Sequence, residues 1–398
     1  MNQRGAIETT ETEMTTTAAR PTSTRLGYVD NLRILLTVLV LAHHSALTYG
    51  ALPMWYWTEP SESLSGLALV AFVVANQFWF MGFFFLLSGL FVPGSVDRKG
   101  PGAFARDRLV RLGVPLIVFW LVARPVLALP GWPERRDQGE SFLRFWFTAG
   151  DPGPMWFVEV LLVLSLAYAA FRALRARSAS RPGAVTGTDG AADTPSGLVA
   201  RPLAFRTIAA FVAVLTVVTY LWRLAVPLGT YWTGVGLPTP AYLPQYVLLF
   251  AAGVLATRRG WLTSLTVRQG RVALVVALVG VGPALGASAL ASAPDAGIVL
   301  LLAQSLVENV VAIGAVVGLL VLFRERFSGQ PAWARFATQH SFAVYVVHPL
   351  VLVGVAILFA PLVAPAGVKF LILLVLSVPL CWGAAYLLRR IPGVARVL

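Results

Sequence analysis

Residues 28–49 read YVDNLRILLTVLVLAHHSALTY, an apolar run with Asp30, Arg33, Thr37 and His44 set into it. A hydrocarbon core of about 30 Å takes about 20 apolar residues of helix, so this stretch is expected to cross a membrane. At 100° per residue, the path from Arg33 to His44 returns to within about 20° of its starting direction and climbs about 16 Å. The two side chains therefore share a face, with Thr37 between them. A polar stripe of this kind costs several kcal/mol in lipid, so it must face a protein interior or a cavity.

Windows of the same kind recur along the 398 residues. About ten spans are expected, near 29–50, 66–92, 111–130, 154–174, 204–226, 241–257, 272–292, 297–323, 341–361 and 367–388. The predicted fold is an all-α integral membrane protein, about ten transmembrane helices around a central polar cavity. A chain with 57% hydrophobic and 12% charged residues and a mean hydropathy of +0.75 is too apolar for a soluble domain. The net charge of +13 does not make it a nucleic-acid binder, because the basic residues form short clusters between apolar runs. The single cysteine, Cys381, excludes an internal disulfide.

Residues 1–27 are polar and Thr-rich with no removable signal peptide visible, and read as a flexible cytoplasmic tail. Residues 28–390 form the transmembrane domain, interrupted by a disordered linker at 175–203, and 391–398 form a second tail. Arg residues concentrate in alternate loops, which places both termini in the cytoplasm of a multi-pass cell-membrane protein. Arg223 and Lys369, at the outer ends of the fifth and tenth spans, are isolated exceptions.

Among the histidines His43, His44, His340 and His348, only His44 lies on the Arg33 face; its neighbour His43 points about 100° away and reads as a packing residue. Adjacent histidines on a helix chelate poorly, so no metal site is expected. Asn76 and Gln77 on the second span, Glu159 on the fourth and Glu308 on the eighth reach the middle or outer half of the membrane, where they could meet His44. Gln304 and Glu308 lie one turn apart on one face. His348, about eight residues into the span that opens near 341, reads as closer to the cytoplasmic mouth. Arg106, Arg108 and Arg111 lie within two turns beside a Gly/Pro-rich loop; they read either as topology anchors or as a phosphate site, for which Arg offers planar multi-donor geometry.

These residues resemble acyltransferase family 3, multi-pass membrane enzymes that O-acylate sugars and other small acceptors. The resemblance rests on DNLRILLTVLVLAHH, with the family's spacing of Arg, ten residues, His at Arg33 and His44. It extends through FFFLLSG (83–89), RDRLVRLGVPL, PMWFVEVLLVLSLAY (154–168) and SFAVYVVHPLVL. WFVEVL departs from the Ser-x-x-Glu pattern of many polysaccharide-modifying members. The resemblance implies an acyl-CoA donor, acetyl-CoA by the family's habit, used from the cytoplasmic side as co-substrate with no tightly bound cofactor. The implied acceptor is a carbohydrate or other hydroxyl compound of the cell envelope. His44 would be the general base and Glu308 or Glu159 its catalytic carboxylate; Asp30, Arg33, Asn76, Gln77, Arg106, Arg108, Arg111 and His348 would line the substrate sites. Direct acylation of His44 is the mechanistic alternative. A multi-pass transporter or flippase with a midplane polar site is the rival class. The lipid bilayer is the surrounding partner, and homo-oligomer formation is left open.

Overall fold

The computed structural model describes residues 26–52, 54–148, 153–179, 203–233, 235–293 and 296–398. No β-strand occurs among them; the only extended pairing is an isolated bridge between Trp232 and Leu237. Among the described residues, ten helical segments are long and apolar enough to cross a membrane. They are Gly27–Tyr49 (span 1), Leu64–Lys99 (span 2), Pro101–Asp137 (span 3), Phe142–Ser178 (span 4), Phe205–Ala225 (span 5), Pro240–Arg259 (span 6), Val267–Ala291 (span 7), Ile298–Arg326 (span 8), Ala332–Leu358 (span 9) and Ala366–Arg389 (span 10). Each coincides with one of the ten apolar windows. Residues 1–25 of the expected tail and most of the expected linker lie outside the described residues; Gly27, the last tail position, already opens span 1, and the main helix of span 4 continues into the linker range as far as Ala179.

Polar contacts sort the span ends into two faces. On the Arg-rich face, Asp97 at the end of span 2 pairs with Arg258 of span 6 at 2.7 Å and Arg172 of span 4 at 3.1 Å. There too Arg324 of span 8 donates to the carbonyls of Leu262 and Leu265, just before span 7, and Asn31 of span 1 donates to those of Phe327 and Gly329. On the opposite face, Trp222 of span 5 donates to the carbonyl of Pro240 at the start of span 6, at 2.9 Å. Lys369 of span 10 meets Glu59 in the loop between spans 1 and 2.

Prolines and a break shape individual spans. Pro125 has no N–H to offer the carbonyl of Leu121, four residues back. That carbonyl instead accepts from the indole nitrogen of Trp146 at 3.0 Å, and the helix widens into a π-turn at Phe119–Ala123. Span 2 is not one helix: Leu64–Gln77 stops and Phe80–Lys99 begins after Phe78 and Trp79. A carbonyl freed in lipid must find a partner within the protein, and that of Phe78 accepts from Gln245 Nε2 of span 6 at 2.7 Å. The second half of span 2 lies against span 6 because Gly82, Gly89 and Gly253 let the backbones close in. A Cβ on Gly89 would strike the carbonyl of Phe250, and one on Gly253 that of Leu86.

Candidate functional site

A cavity of about 790 Å³ opens at the face opposite the Arg-rich one. Its inner wall comes from the end of span 1 (Val40, His43, His44, Leu47) and the broken span 2 (Val73, Val74, Gln77, Phe80, Met81). Loop residues Trp55, Tyr56, Pro154, Tyr231 and Thr239, with Trp156, Tyr242 and Tyr345, close the rest. No Asp, Glu, Lys or Arg lines it among the described residues. The wall is mostly aromatic, with a few polar groups, the usual make-up of a small-molecule site.

Both span-1 histidines line this cavity, which corrects the expectation that His43 points elsewhere. Val40, His43, His44 and Leu47 follow the i, i+3, i+4, i+7 spacing of one helix face about 100° wide, and the two rings stand at its opposite edges, so both reach the cavity. Their hydrogen bonds set them in opposite roles. His44 Nδ1 donates to the carbonyl of Val40 at 2.9 Å, since a carbonyl can only accept. A neutral imidazole carries one N–H, so His44 Nε2 keeps its lone pair. His43 Nδ1 instead accepts from Asn76 Nδ2 at 3.4 Å, which leaves the proton on His43 Nε2. The break after Gln77 positions this pair: Asn76 turns to His43, and Gln77 donates to Tyr246 Oη at 3.0 Å while facing the cavity.

His348 is not near the Arg-rich mouth. Span 9 begins at Ala332, nine positions before the expected start, so His348 lies nearer the helix's far end, fully buried. Its ring centroid is 5.0 Å from that of His44. The His-Pro sequence explains its orientation. Pro349 cannot donate to the carbonyl of Tyr345, and His348 Nδ1 donates to it instead, at 2.6 Å.

Glu308 does not orient His44. Its carboxylate accepts from Arg223 Nη2 at 2.7 Å and from Ser288 Oγ at 3.0 Å, and Gln304 Nε2 donates to Ser288 at 3.3 Å. Gln304 and Glu308 do share a buried face, but its partner is span 5. The cluster reaches the cavity through Tyr242, whose ring lies 4.9 Å beneath the Arg223 guanidinium, and through Ser292, which donates to the carbonyl of Ser288 at 2.8 Å. Both isolated basic residues are thereby accounted for: Arg223 is paired with Glu308, and Lys369 with Glu59. Glu159, half-buried in the first turn of the main span-4 helix, is not part of the cavity wall.

Arg33 stands at the Arg-rich face, 3.6 Å from Asp30 and over the ring of Phe91 at 4.3 Å, also outside the cavity wall. Arg108 stacks over Phe104 at 4.9 Å, Arg111 pairs with Asp107 at 3.1 Å, and Arg106 is exposed. The candidate residues therefore fall into two groups at opposite faces, one basic and one holding the imidazoles.

Trp55, which contacts His44 most closely by ring at 4.1 Å, was not anticipated, nor was Tyr56 beside it. The signal available was three consecutive aromatics, Trp55, Tyr56 and Trp57, directly after the histidine helix. A family model described as an acyltransferase domain matches residues 26–386. No curated protein and no solved structure matches the chain.

Proposed function

Because the chain belongs to the acyltransferase 3 family, which covers it from residue 26 to 386, we propose that it moves an acyl group from acyl-CoA to a hydroxyl at His44. The observation that carries this reading is the His44 hydrogen bond: Nδ1 is committed to Val40, and Nε2 is left as a base on the wall of a largely apolar cavity. In the proposed reaction an acceptor hydroxyl gives its proton to His44 Nε2 as its oxygen attacks the thioester carbonyl. The tetrahedral adduct then expels the thiolate, which recovers that proton and leaves as free thiol.

The proposed orientation has both termini and the Arg-rich face in the cytoplasm, following the distribution of Arg. Anionic phosphates of the donor would dock at Arg33, Arg106, Arg108 and Arg111, held by multi-donor hydrogen bonds. The pantetheine arm would carry the thioester along span 1 over the roughly 16 Å of rise that separates Arg33 from His44. The acceptor, a sugar or another small hydroxyl compound, would enter from the opposite face, and the acyl group is proposed to be acetyl. His348, packed against His44, holds the base in place.

Purified protein in nanodiscs, given acetyl-CoA and a panel of neutral glycosides, should release thiol and form an ester. His44→Ala should insert and fold normally yet lose a factor of about 100 to 10,000 in turnover, the usual worth of a general base. Undiminished turnover in His44→Ala overturns the assignment. Movement of an unmodified glycoside across the bilayer, without thiol release, would replace the enzyme reading with a carrier.

A further inference from the structure

An attacked thioester carbonyl develops negative charge on its oxygen, and the residues that meet that charge are a separate question from the base. Trp55 lines the cavity with its ring 4.1 Å from that of His44, yet its indole nitrogen is shut off from solvent and has no hydrogen-bond partner. Buried indole N–H groups usually find an acceptor, and an unsatisfied one costs about 1–3 kcal/mol. A second donor also adjoins the base. His43 Nε2 carries its ring's proton because Asn76 occupies Nδ1, and the His43 ring stands at 77° to that of His44 with centroids 5.5 Å apart. His43 also stacks on Phe80 at 5.1 Å, which fixes its plane.

We propose that Trp55 Nε1–H and His43 Nε2–H are the oxyanion donors of this site. The inference rests on the acyl-transfer reading and adds two catalytic residues to it. Two N–H groups next to a base whose own nitrogen can only accept divide the labour of acyl transfer: one imidazole takes the proton, and the other imidazole with the indole takes the charge. As the C–O bond to the acceptor forms, the carbonyl π pair moves onto oxygen between the two donors. It returns as the C–S bond breaks, so the donors end as they began, with no proton exchanged. Fixed donors in a site of low dielectric are worth far more to the adduct than to the neutral carbonyl, so their effect falls on kcat.

The test uses full-length protein in nanodiscs, acetyl-CoA as donor and methyl β-D-glucopyranoside as acceptor. Replacing Trp55 by 3-benzothienylalanine keeps the two-ring shape and the stack on His44 while deleting the N–H. Turnover should fall about 100- to 1,000-fold with acceptor KM within about twofold, as for loss of one oxyanion donor. His43→Gln keeps a donor near the same point and should retain far more activity than His43→Leu. A binding arm does not depend on turnover. The indole ¹⁵N–H signal of Trp55, identified by its loss in Trp55→Phe, should move downfield on adding acetonyl-CoA, an unreactive ketone analogue of the donor. If the benzothienyl protein keeps wild-type kcat, or the indole signal ignores the ketone, the donor assignment is wrong while acyl transfer stands. If wild type releases no thiol, the acyl-transfer reading is wrong, and the indole signal alone decides whether a carbonyl is held there.

Discussion

Removing the carboxylate of Glu308 should destabilise the protein far more than removing both members of its ion pair. Arg223 and Glu308 have side chains 6% and 2% exposed and meet at 2.7 Å. The guanidinium has Nε and Nη1 buried without hydrogen-bond partners, so the bond from Nη2 to Glu308 is its main compensation beside the Tyr242 ring. Glu308→Leu would leave an uncompensated buried cation, a change that costs about 3–5 kcal/mol. Deleting both charges in Arg223→Met/Glu308→Leu should recover most of that loss, because apolar replacement of a buried pair is often neutral or stabilising. The coupling should exceed about 2 kcal/mol, well above the ~0.6 kcal/mol typical of interhelical hydrogen bonds in membranes. Unfolding in sodium dodecyl sulfate, followed by near-UV circular dichroism for wild type, both single variants and the double variant, gives the cycle. Additive single effects would refute the claim that Glu308 serves chiefly to neutralise Arg223. A Glu308→Gln protein that folds as wild type but turns over 100-fold more slowly would return Glu308 to the chemistry.

Reporter fusions at Gly187 and Asp295 should report opposite sides of the membrane, Gly187 cytoplasmic; equal sidedness would sink the orientation. Arg108→Ala and Arg111→Ala should weaken acetyl-CoA binding without altering acceptor KM, and unchanged donor affinity would leave both as topology anchors. Lys369→Met should strand Glu59, which also accepts from Trp57 Nε1 at 3.1 Å, and so loosen the loop that brings Trp55 to His44. Its limited proteolysis at residues 52–63 should speed up, and an unchanged digestion rate would show that the ion pair does not hold the loop.

The ten spans could be read from apolar run length because lipid imposes that length on every helix, whatever its neighbours. Polar partnerships could not. Arg223 and Glu308 are 85 positions apart, and only the packing of span 5 on span 8 makes them a pair. The break at Phe78 and Trp79 could not be read because both residues are apolar, and the group that satisfies the freed carbonyl is Gln245, 167 positions later. His348 was placed too near the Arg-rich mouth because the start of span 9, AWARFATQH, is mixed in character and did not read as helix within the membrane. Periodicity puts His44 on the Arg33 face of a helix that runs unbroken from Gly27 to Tyr49. It excluded His43 because it counted only the Arg33 direction, whereas Val40, His43, His44 and Leu47 present a stripe about 100° wide to the cavity.

The bond from Gln245 to the carbonyl of Phe78 also constrains how the protein is made. A ribosome adding about 5–20 residues per second takes roughly 10–30 s to get from Phe78 to Gln245. Throughout that interval the gap in span 2 has no partner from span 6, and an open backbone carbonyl is not stable against hydrocarbon. Span 2 must therefore wait beside the translocon or an insertion chaperone, or sit as one continuous helix that breaks only when span 6 arrives. In either case the wall that carries Asn76 and Gln77 is finished late, after more than half of the chain has entered the membrane. If span 2 waits, nascent chains stalled before span 6 remain crosslinkable from position 78 to the insertion machinery and chains stalled after it do not; if it sits as one helix, neither crosslinks.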